Sequence, residues 1–441
     1  MNMGEIIRIH GMGSEMQGVG RLSDGRAAFV PGALPEETVE IRIRRSRDRF
    51  VEAELLRVVE PSPDRVAPAC PLFGQCGGCQ TQHMTYEASL RFKRDRVRDA
   101  LTRIGGVADP DVRPTIAADP VLHARNKAEY DCGIDPRTGR RALGAHVVAS
   151  HGVLSMDDCL LQHPLSLKAL SAVRTLKALP SLSGAVTRVT RNGQLMLTLT
   201  APTGALPDEA GIISALRAQL PELVSLYLCR LNSRPAHALD GRCRLLWGQS
   251  TVTDALCGLA FELSPQSFFQ VNPPQAERLY DATIEAARIQ PNNLVLDAYC
   301  GAGTITLCAA RKSSRTVGVE IVAPAIDNAN RNAQRNGLSD RVQFVLGDAA
   351  EEIPAMVARG LRPDVVITDP PRKGMDKPLV DALLLALPRR IVYVSCNPAT
   401  LARDVKLLSE RYRLEYAIPV DMFPLSAHVE TVALMTRDER K

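Results

Sequence analysis

The sequence predicts an α/β fold, with a Rossmann-like parallel sheet in its C-terminal part, a small β-barrel at the N-terminus and an α+β region between them. Two textures and a gap carry this. After about residue 265 the chain alternates strand, turn and helix: LVLDAY, TVGVE, VQFVLGD, DVVITD and RIVYVS are apolar runs each followed by a helical stretch, which implies a parallel sheet covered by helices. The first sixty residues give short runs punctuated by Gly and Pro, namely EIIRIHGM, GVGRL, AAFVPGA, TVEIRIRRS and FVEAELLRVV. The segment from 115 to 262 follows neither texture.

In order along the chain, Val39 to Arg44 alternates apolar with polar residues, the period of a half-buried strand, and the set has the size of a small barrel. The proline-rich stretch from Pro61 to Pro68 reads as a linker. Residues 84–104 carry a helical pattern with Leu90, Val97, Leu101 and Ile104 near one face. The middle mixes strands (QLMLTLTA, SLYLCRL) with a helix (SLKALSAVRTLKAL), and LEYAIPVDMF and ETVALMTR read as a closing pair of strands. The divisions expected are residues 1–59 for the barrel, 60–82 with 115–262 for the central domain, and 83–114 with 263–441 for the α/β domain.

Composition excludes some classes. At 441 residues and 45% hydrophobic content, two or three domains have material for their own cores. Aromatics make up 4%, so those cores are aliphatic. No stretch approaches the roughly 20 apolar residues that cross a bilayer, and MNMGEIIRIHGMG has no apolar signal core. A cytoplasmic monomer without membrane contact is expected. The net charge of +5 is too small to argue for nucleic acid. The local runs Arg42–Arg49 and Arg91–Arg96 are as compatible with a solvated surface as with a polyanion site.

The first α/β turn, in LVLDAYCGAGT, places Gly301 and Gly303 between a buried strand and a helix, where the backbone can pass close to a ligand. The next strand ends in Glu320, an acid suited to a ribose diol. Dinucleotide folds share this spacing, but the third glycine of their fingerprint is absent, since position 306 is Thr, and no pyrophosphate-cradling loop is evident. Asp348, closing the third strand, suits an adenine amino group. An adenosine cofactor without pyrophosphate fits S-adenosylmethionine. Each residue alone has a plain alternative, such as a helix cap for Glu320. Their order at successive strand ends is what carries the reading.

Two further strands end in chemistry-bearing residues. DVVITDPPRKG sets Asp369 and Arg372 past one strand, and RIVYVSCNP sets Cys396 past the next. Ligands in open α/β sheets bind beyond the carboxyl ends of the strands, so Asp369 and Cys396 should share a crevice with Tyr299 and Glu320. Uracil C5 is a poor nucleophile. A thiolate added to C6 makes C5 an enolate carbon able to take a methyl group, after which a base must remove the C5 proton. Cys396 suits the nucleophile, against the usual fate of a free cysteine as a small buried apolar residue. Glu430 is a candidate base and His428 a second.

Residues 265–441 resemble the catalytic domain of the RNA uracil-5-methyltransferase family, whose signatures stand here as SPQSFFQVNP, LDAYCGAGT, DPPRKG, VSCNPATLARD and DMFPLSAHVETV. The resemblance implies that Cys396 is the nucleophile and Glu430 the proton-abstracting base. It also implies that Gln270, Tyr299, Gly301, Glu320, Asp348 and Asp369 line the cofactor site, with Asp369 positioning the uracil. Ala298 departs from the family's larger apolar residue, which should alter packing rather than chemistry.

Cys70, Cys76 and Cys79 crowd into ten residues. In a reducing compartment such a cluster means metal or catalysis more often than disulfides. With a fourth thiolate from elsewhere the set suits zinc or an iron–sulfur cluster, and spacing does not separate the two. Cys132 competes for the fourth place by position. The resemblance implies a [4Fe–4S] cluster with Cys159 as fourth ligand. The N-terminal barrel is similar to a TRAM domain, an RNA-binding module, with Glu36 where a glycine is common. Arg125-Asn126-Lys127 matches a family motif and offers donors to phosphates. A flipped uridine in structured RNA is the expected substrate, ribosomal (23S type) in preference to transfer RNA. An amino-group methyltransferase also uses D-P-P-x but needs no cysteine, and a catalytically idle RNA-binding protein would not need Cys396 and Glu430.

Overall fold

The computed structural model describes residues 4–440. Strands β1 (Glu5–Met12), β2 (Gln17–Arg21), β3 (Ala27–Pro31), β4 (Thr38–Ser46) and β5 (Phe50–Glu60) close a barrel in the order β1-β2-β3-β5-β4. Ile7, Ile9, Val30, Val39, Ile41 and Val51 fill it. Two glycines are needed on β2: a Cβ at Gly18 or Gly20 would lie 2.8 Å from the Ala33 or Arg8 carbonyl oxygen, which backbone cannot yield. Residues 61–68 are more than a tether. Arg65 pairs with the buried carboxylate of Glu37 and donates to the Gly32 carbonyl at 2.6 Å.

Helix α1 (Tyr86–Arg103) is capped by Thr85, whose hydroxyl accepts from the Ala88 N–H. Val97 and Leu101 are buried as the pattern predicts. Ile104 instead falls past the helix end and is 42% exposed, and the buried stripe runs through Lys93. A cation lies on that face because Asp421 meets it there.

The central domain is a seven-stranded sheet of β6 (Lys127–Ile134), β7 (Arg141–His146), β8 (Val153–Ser155), β9 (Gly184–Val189), β10 (Leu195–Ala201), β11 (Leu223–Leu231) and β12 (Gly241–Gly248). Its order is β12-β11-β10-β9-β6-β7-β8. Helices α2 (Pro164–Arg174) and α3 (Glu209–Gln219) cover an aliphatic core that includes Leu170, Leu197, Leu216 and Leu228. The hairpin β13 (Val252–Leu256) and β14 (Leu259–Leu263) sends Val252, Leu256, Phe261 and Leu263 into the same core as helix α4 (Pro273–Ala287).

The C-terminal sheet is built from β15 (Leu294–Asp297), α5 (Thr304–Ala310), β16 (Arg315–Glu320), α6 (Ala323–Arg335), β17 (Val342–Leu346), α7 (Ala349–Ala358), β18 (Val365–Thr368), α8 (Lys377–Ala386), β19 (Arg390–Ser395), α9 (Pro398–Leu408), β20 (Tyr412–Val420) and β21 (Glu430–Arg437). Its order is β17-β16-β15-β18-β19-β21-β20, parallel from β17 to β19 and antiparallel at β21. Two aliphatic cores, one holding Leu383 and Leu401 and the other Leu279 and Leu307, enclose the short strands. Strand order reverses beside β15, which opens a crevice beyond the carboxyl ends of β15 and β18. Among the described residues no helix is long and apolar enough to cross a membrane.

Candidate active site

Gly301 and Gly303 turn the chain from β15 into α5 at φ 54° and 83°, the left-handed region where glycine is favoured. The space a Cβ of Gly301 would occupy is empty to 4 Å. Glu320 closes the turn from the neighbouring strand: its carboxylate accepts the N–H of Gly301 at 3.1 Å and of Val322 at 2.9 Å. Asp348 caps α7 through one oxygen, which accepts the Ala350 N–H at 2.8 Å. Tyr299 lies in the same turn, its phenol made less acidic by burial and by the charges of Asp376, Asp348 and Asp404.

Asp297 and Tyr280 belong to this site and were not singled out from the sequence. Asp297 ends β15 and is buried. Thr306 donates to its Oδ2 at 2.6 Å, whereas its Oδ1 has no partner. Burial holds its carboxyl up at about 6. The acid closing the apolar run LVLD was the available signal. Tyr280 on α4 bonds Thr304 Oγ1 at 3.0 Å and interacts with Gln270 and Asp369. Nothing in its local sequence separates it from a core tyrosine. The open glycine turn, the acid on the adjoining strand and the orphaned Asp297 oxygen fit a compact cationic adenosine cofactor.

The second half of the crevice is assembled by strand register. Ser395 of β19 lies opposite Thr431 of β21, so the next residue outward on each, Cys396 and Glu430, face one another at the sheet's end. Cys396 and Glu430 both sense the charge of Asp369, and Arg372 opposes it at each. Burial, reinforced by Glu430 and Asp369, pushes the Cys396 thiol up to about 11. Burial and Asp369 raise Glu430 to about 8, and burial with Asp297 raises Asp369 to about 7. Displaced acids gathered around one cysteine point to a candidate functional cluster. His428 packs its ring edge-on against Phe423, and this partial burial, with Arg372, Arg96 and Lys93 adding to the effect, holds it below its ordinary value.

Two side chains, Asn397 and Thr400, bind the loops after β18 and β19 together by donating to the Arg372 carbonyl. Asn397 caps α9 by accepting the Ala399 N–H at 3.1 Å, and its amide donates to the Arg372 carbonyl at 3.2 Å. At the rim the pair Phe268 and Phe269 divides its work: Phe269 is buried against Phe261, while Phe268 is 74% exposed.

The cysteine loop is only partly convergent. Cys76, Cys79 and Cys159 act electrostatically on one another, and Gly78 N–H points at Cys76 Sγ at 3.4 Å. Burial raises Cys79 to about 11. Among the described residues no group of three or more His, Cys, Asp or Glu side chains is arranged to hold a metal ion. Cys132 on β6 interacts with Arg141 and Asp131 instead. The side chains of Arg125, Asn126 and Lys127 differ in their surroundings. Arg125 faces Cys79, Cys159 and Cys76, Asn126 is buried with its side-chain amide unpartnered, and Lys127 pairs with Glu129. Lys127 opens β6 opposite Arg188 of β9.

The tRNA (uracil-5-)-methyltransferase family profile matches residues 251–438, and the TRAM domain profile matches residues 6–56. The chain is 39% identical to an uncharacterized RNA methyltransferase of Halalkalibacterium halodurans over 427 residues, covering 93% of this chain and 92% of that one. It is also 39% identical to one of Caldanaerobacter subterraneus, covering 98% and 97%. The solved structure of Pyrococcus abyssi tRNA (uracil-54, C5)-methyltransferase in complex with S-adenosyl-L-homocysteine superposes with a TM-score of 0.74 at 26% identity, over 98% of this chain and 99% of that one.

Proposed function

Since the chain belongs to the RNA uracil-5-methyltransferase family and so methylates C5 of uracil in RNA with S-adenosylmethionine, we propose that Cys396 is its nucleophile, Glu430 its base and 23S-type ribosomal RNA its substrate. The bound cofactor supplies an electrophilic methyl group, with Gln270, Tyr299, Gly301, Glu320, Asp348 and Asp369 as the residues to hold it. Cys396 Sγ attacks C6 of a flipped uracil, and the electron pair displaced from the C5–C6 double bond takes the methyl group. Glu430 then accepts the C5 proton, the double bond re-forms and the thiolate leaves. Asp369, raised to about 7 by burial and by Asp297, can in its protonated form donate to a uracil carbonyl, and Arg372 can hold the developing negative charge.

The observation that carries this is the meeting of Cys396, Glu430 and Asp369 at one edge of the sheet, where β18 and β19 end and β21 begins. The exposed Phe268 ring supports an unstacked base as ligand. The test is trapping with RNA containing 5-fluorouridine, whose C5 fluorine cannot leave as a proton. The wild-type chain should give a covalent adduct that survives denaturation, and Cys396→Ala should give neither adduct nor methylation while still binding cofactor. An adduct in that variant rejects the assignment.

The same chemistry on transfer RNA is a second reading, favoured by the likeness to the Pyrococcus abyssi enzyme across nearly the whole chain. Mapping 5-methyluridine in ribosomal and transfer RNA from a deletion strain distinguishes the two. We also propose that Cys70, Cys76, Cys79 and Cys159 bind a [4Fe–4S] cluster. The mutual approach of the last three and the inward turn of Arg125 toward them support it.

A further inference from the structure

The segment between β20 and β21, residues 421–429, delivers Glu430 to the crevice; Ser426 bonds the Phe423 carbonyl and the His428 N–H within it, and its remaining polar backbone is largely held from outside. Leu425 sits at φ 62°, a left-handed conformation that a branched side chain does not choose unaided. Its carbonyl accepts the N–H groups of Gln80 at 2.9 Å and Thr81 at 3.2 Å. Two residues on, both polar groups of the Ala427 backbone are taken by side chains distant in sequence. Its N–H donates to Gln80 Oε1 at 3.2 Å, and its carbonyl accepts from Arg96 Nη1 at 2.6 Å. The near end is anchored by α1, where Tyr86 donates to Asp421 at 2.7 Å and the buried Lys93 bonds both Asp421 and the Phe423 carbonyl.

Gln80 is therefore bound to this segment through its backbone and its side chain. Its amide also donates to the Gly77 carbonyl at 2.9 Å, which fixes the side-chain rotamer against the loop of Cys76 and Cys79. Ala427 lies three residues before Glu430, and only Val429 of the intervening pair is buried. Release of Ala427 would let the start of β21 fray, and Glu430 is its first residue.

We propose that Gln80, together with Arg96, is a positioning residue for proton abstraction: it holds the Leu425–Ala427 backbone so that Glu430 faces the C5 proton of the substrate. This rests on the reading of Glu430 as base. It makes the cysteine loop a mechanical support of the catalytic segment, independent of any electron transfer. Loss of the support should slow the last chemical step and spare the earlier ones, because Cys396 and the cofactor residues stand on other strands.

The experiment uses the full chain, purified anaerobically, with unmodified RNA and methyl-labelled cofactor. Gln80→Met keeps the side-chain volume and removes its hydrogen bonds. It should lower kcat about tenfold or more, leave KM for RNA and cofactor within about twofold, and accumulate a methyl-labelled protein–RNA complex that awaits deprotonation. Gln80→Glu keeps an acceptor for the Ala427 N–H and should recover most of the rate. Arg96→Met touches the same residue without touching the cysteine loop and should reproduce the labelled complex, which covers the case in which Gln80→Met does not fold. Wild-type kcat in both Met variants, or a fall in kcat without labelled complex, overturns the proposal. Glu430→Gln is the control: labelled complex there but in neither Met variant rejects the positioning role alone, whereas normal turnover by Glu430→Gln rejects the base itself.

Discussion

At the scale of single residues, the site is defined by acids kept away from their ordinary values. Asp369 at about 7, Glu430 at about 8 and Cys396 at about 11 are all raised, burial being the largest cause for each. The signs follow directly. Each raised acid favours its neutral form in the folded protein, so its own contribution to stability is fully present below the ordinary carboxylate range and is lost as pH rises from about 4 to the folded values of 7 to 8. Asp369→Asn should therefore raise the melting temperature at pH 8.5 relative to wild type and give no gain at pH 4, as thermal melts at both pH values will measure. Under the proposed mechanism Glu430 and Cys396 act ionised and Asp369 acts protonated, so kcat/KM for RNA should rise from pH 6 toward 7–8 as Glu430 ionises and stop rising as Asp369 loses its proton; a profile falling from pH 6 to 7.5 contradicts the assignment. A separate residue tests backbone strain. Glu36 occupies φ 73° in the barrel, so Glu36→Gly should stabilise the chain by ~0.5–1 kcal/mol despite the added freedom of the unfolded state, read as a shift of the denaturant midpoint.

At the scale of elements, reactivity depends on strand ends held in mutual register. β19 and β21 pair antiparallel up to Ser395 and Thr431, and the loops after β18 and β19 are joined through Asn397. Asn397→Ala removes a helix cap, at a cost of about 1 kcal/mol, and also removes one of the two side-chain bonds to the Arg372 carbonyl, Thr400 Oγ1 keeping the other at 3.3 Å. We expect kcat to fall roughly tenfold or more with cofactor affinity unchanged by calorimetry. A variant that loses stability and keeps kcat would reduce Asn397 to a cap. Most strands were legible because their apolar runs end at Gly, Pro or Asp. The α1 stripe was not, since Lys93 interrupts the pattern and only a partner 328 residues away explains it.

At the scale of the whole molecule, a closed barrel, a central sheet and a parallel sheet are joined by contacts between residues far apart in sequence. Arg188 of the central sheet donates to the Ser267 carbonyl at 2.7 Å, and Asn126 donates its backbone N–H to Val271 at 2.8 Å. The central domain thus backs the segment that carries Gln270. If the cysteine loop holds a cluster, anaerobic protein should absorb in the visible, and chelation after oxidation should bleach it and lower the melting temperature. A colourless sample loaded with zinc overturns the cluster.

The sequence by itself determined the element types, the glycine turn with its following acid, and the strand-end loops bearing Asp369 and Cys396, because short-range periodicity and turn chemistry fix these locally. Only the tertiary structure decided that Glu430 faces Cys396, that Asp297 and Tyr280 belong to the cofactor crevice, and that Arg125 turns toward the cysteines. Those facts depend on strand order and on burial between distant segments, and a carboxyl or guanidinium group acquires its charge state and partners only once that burial is complete.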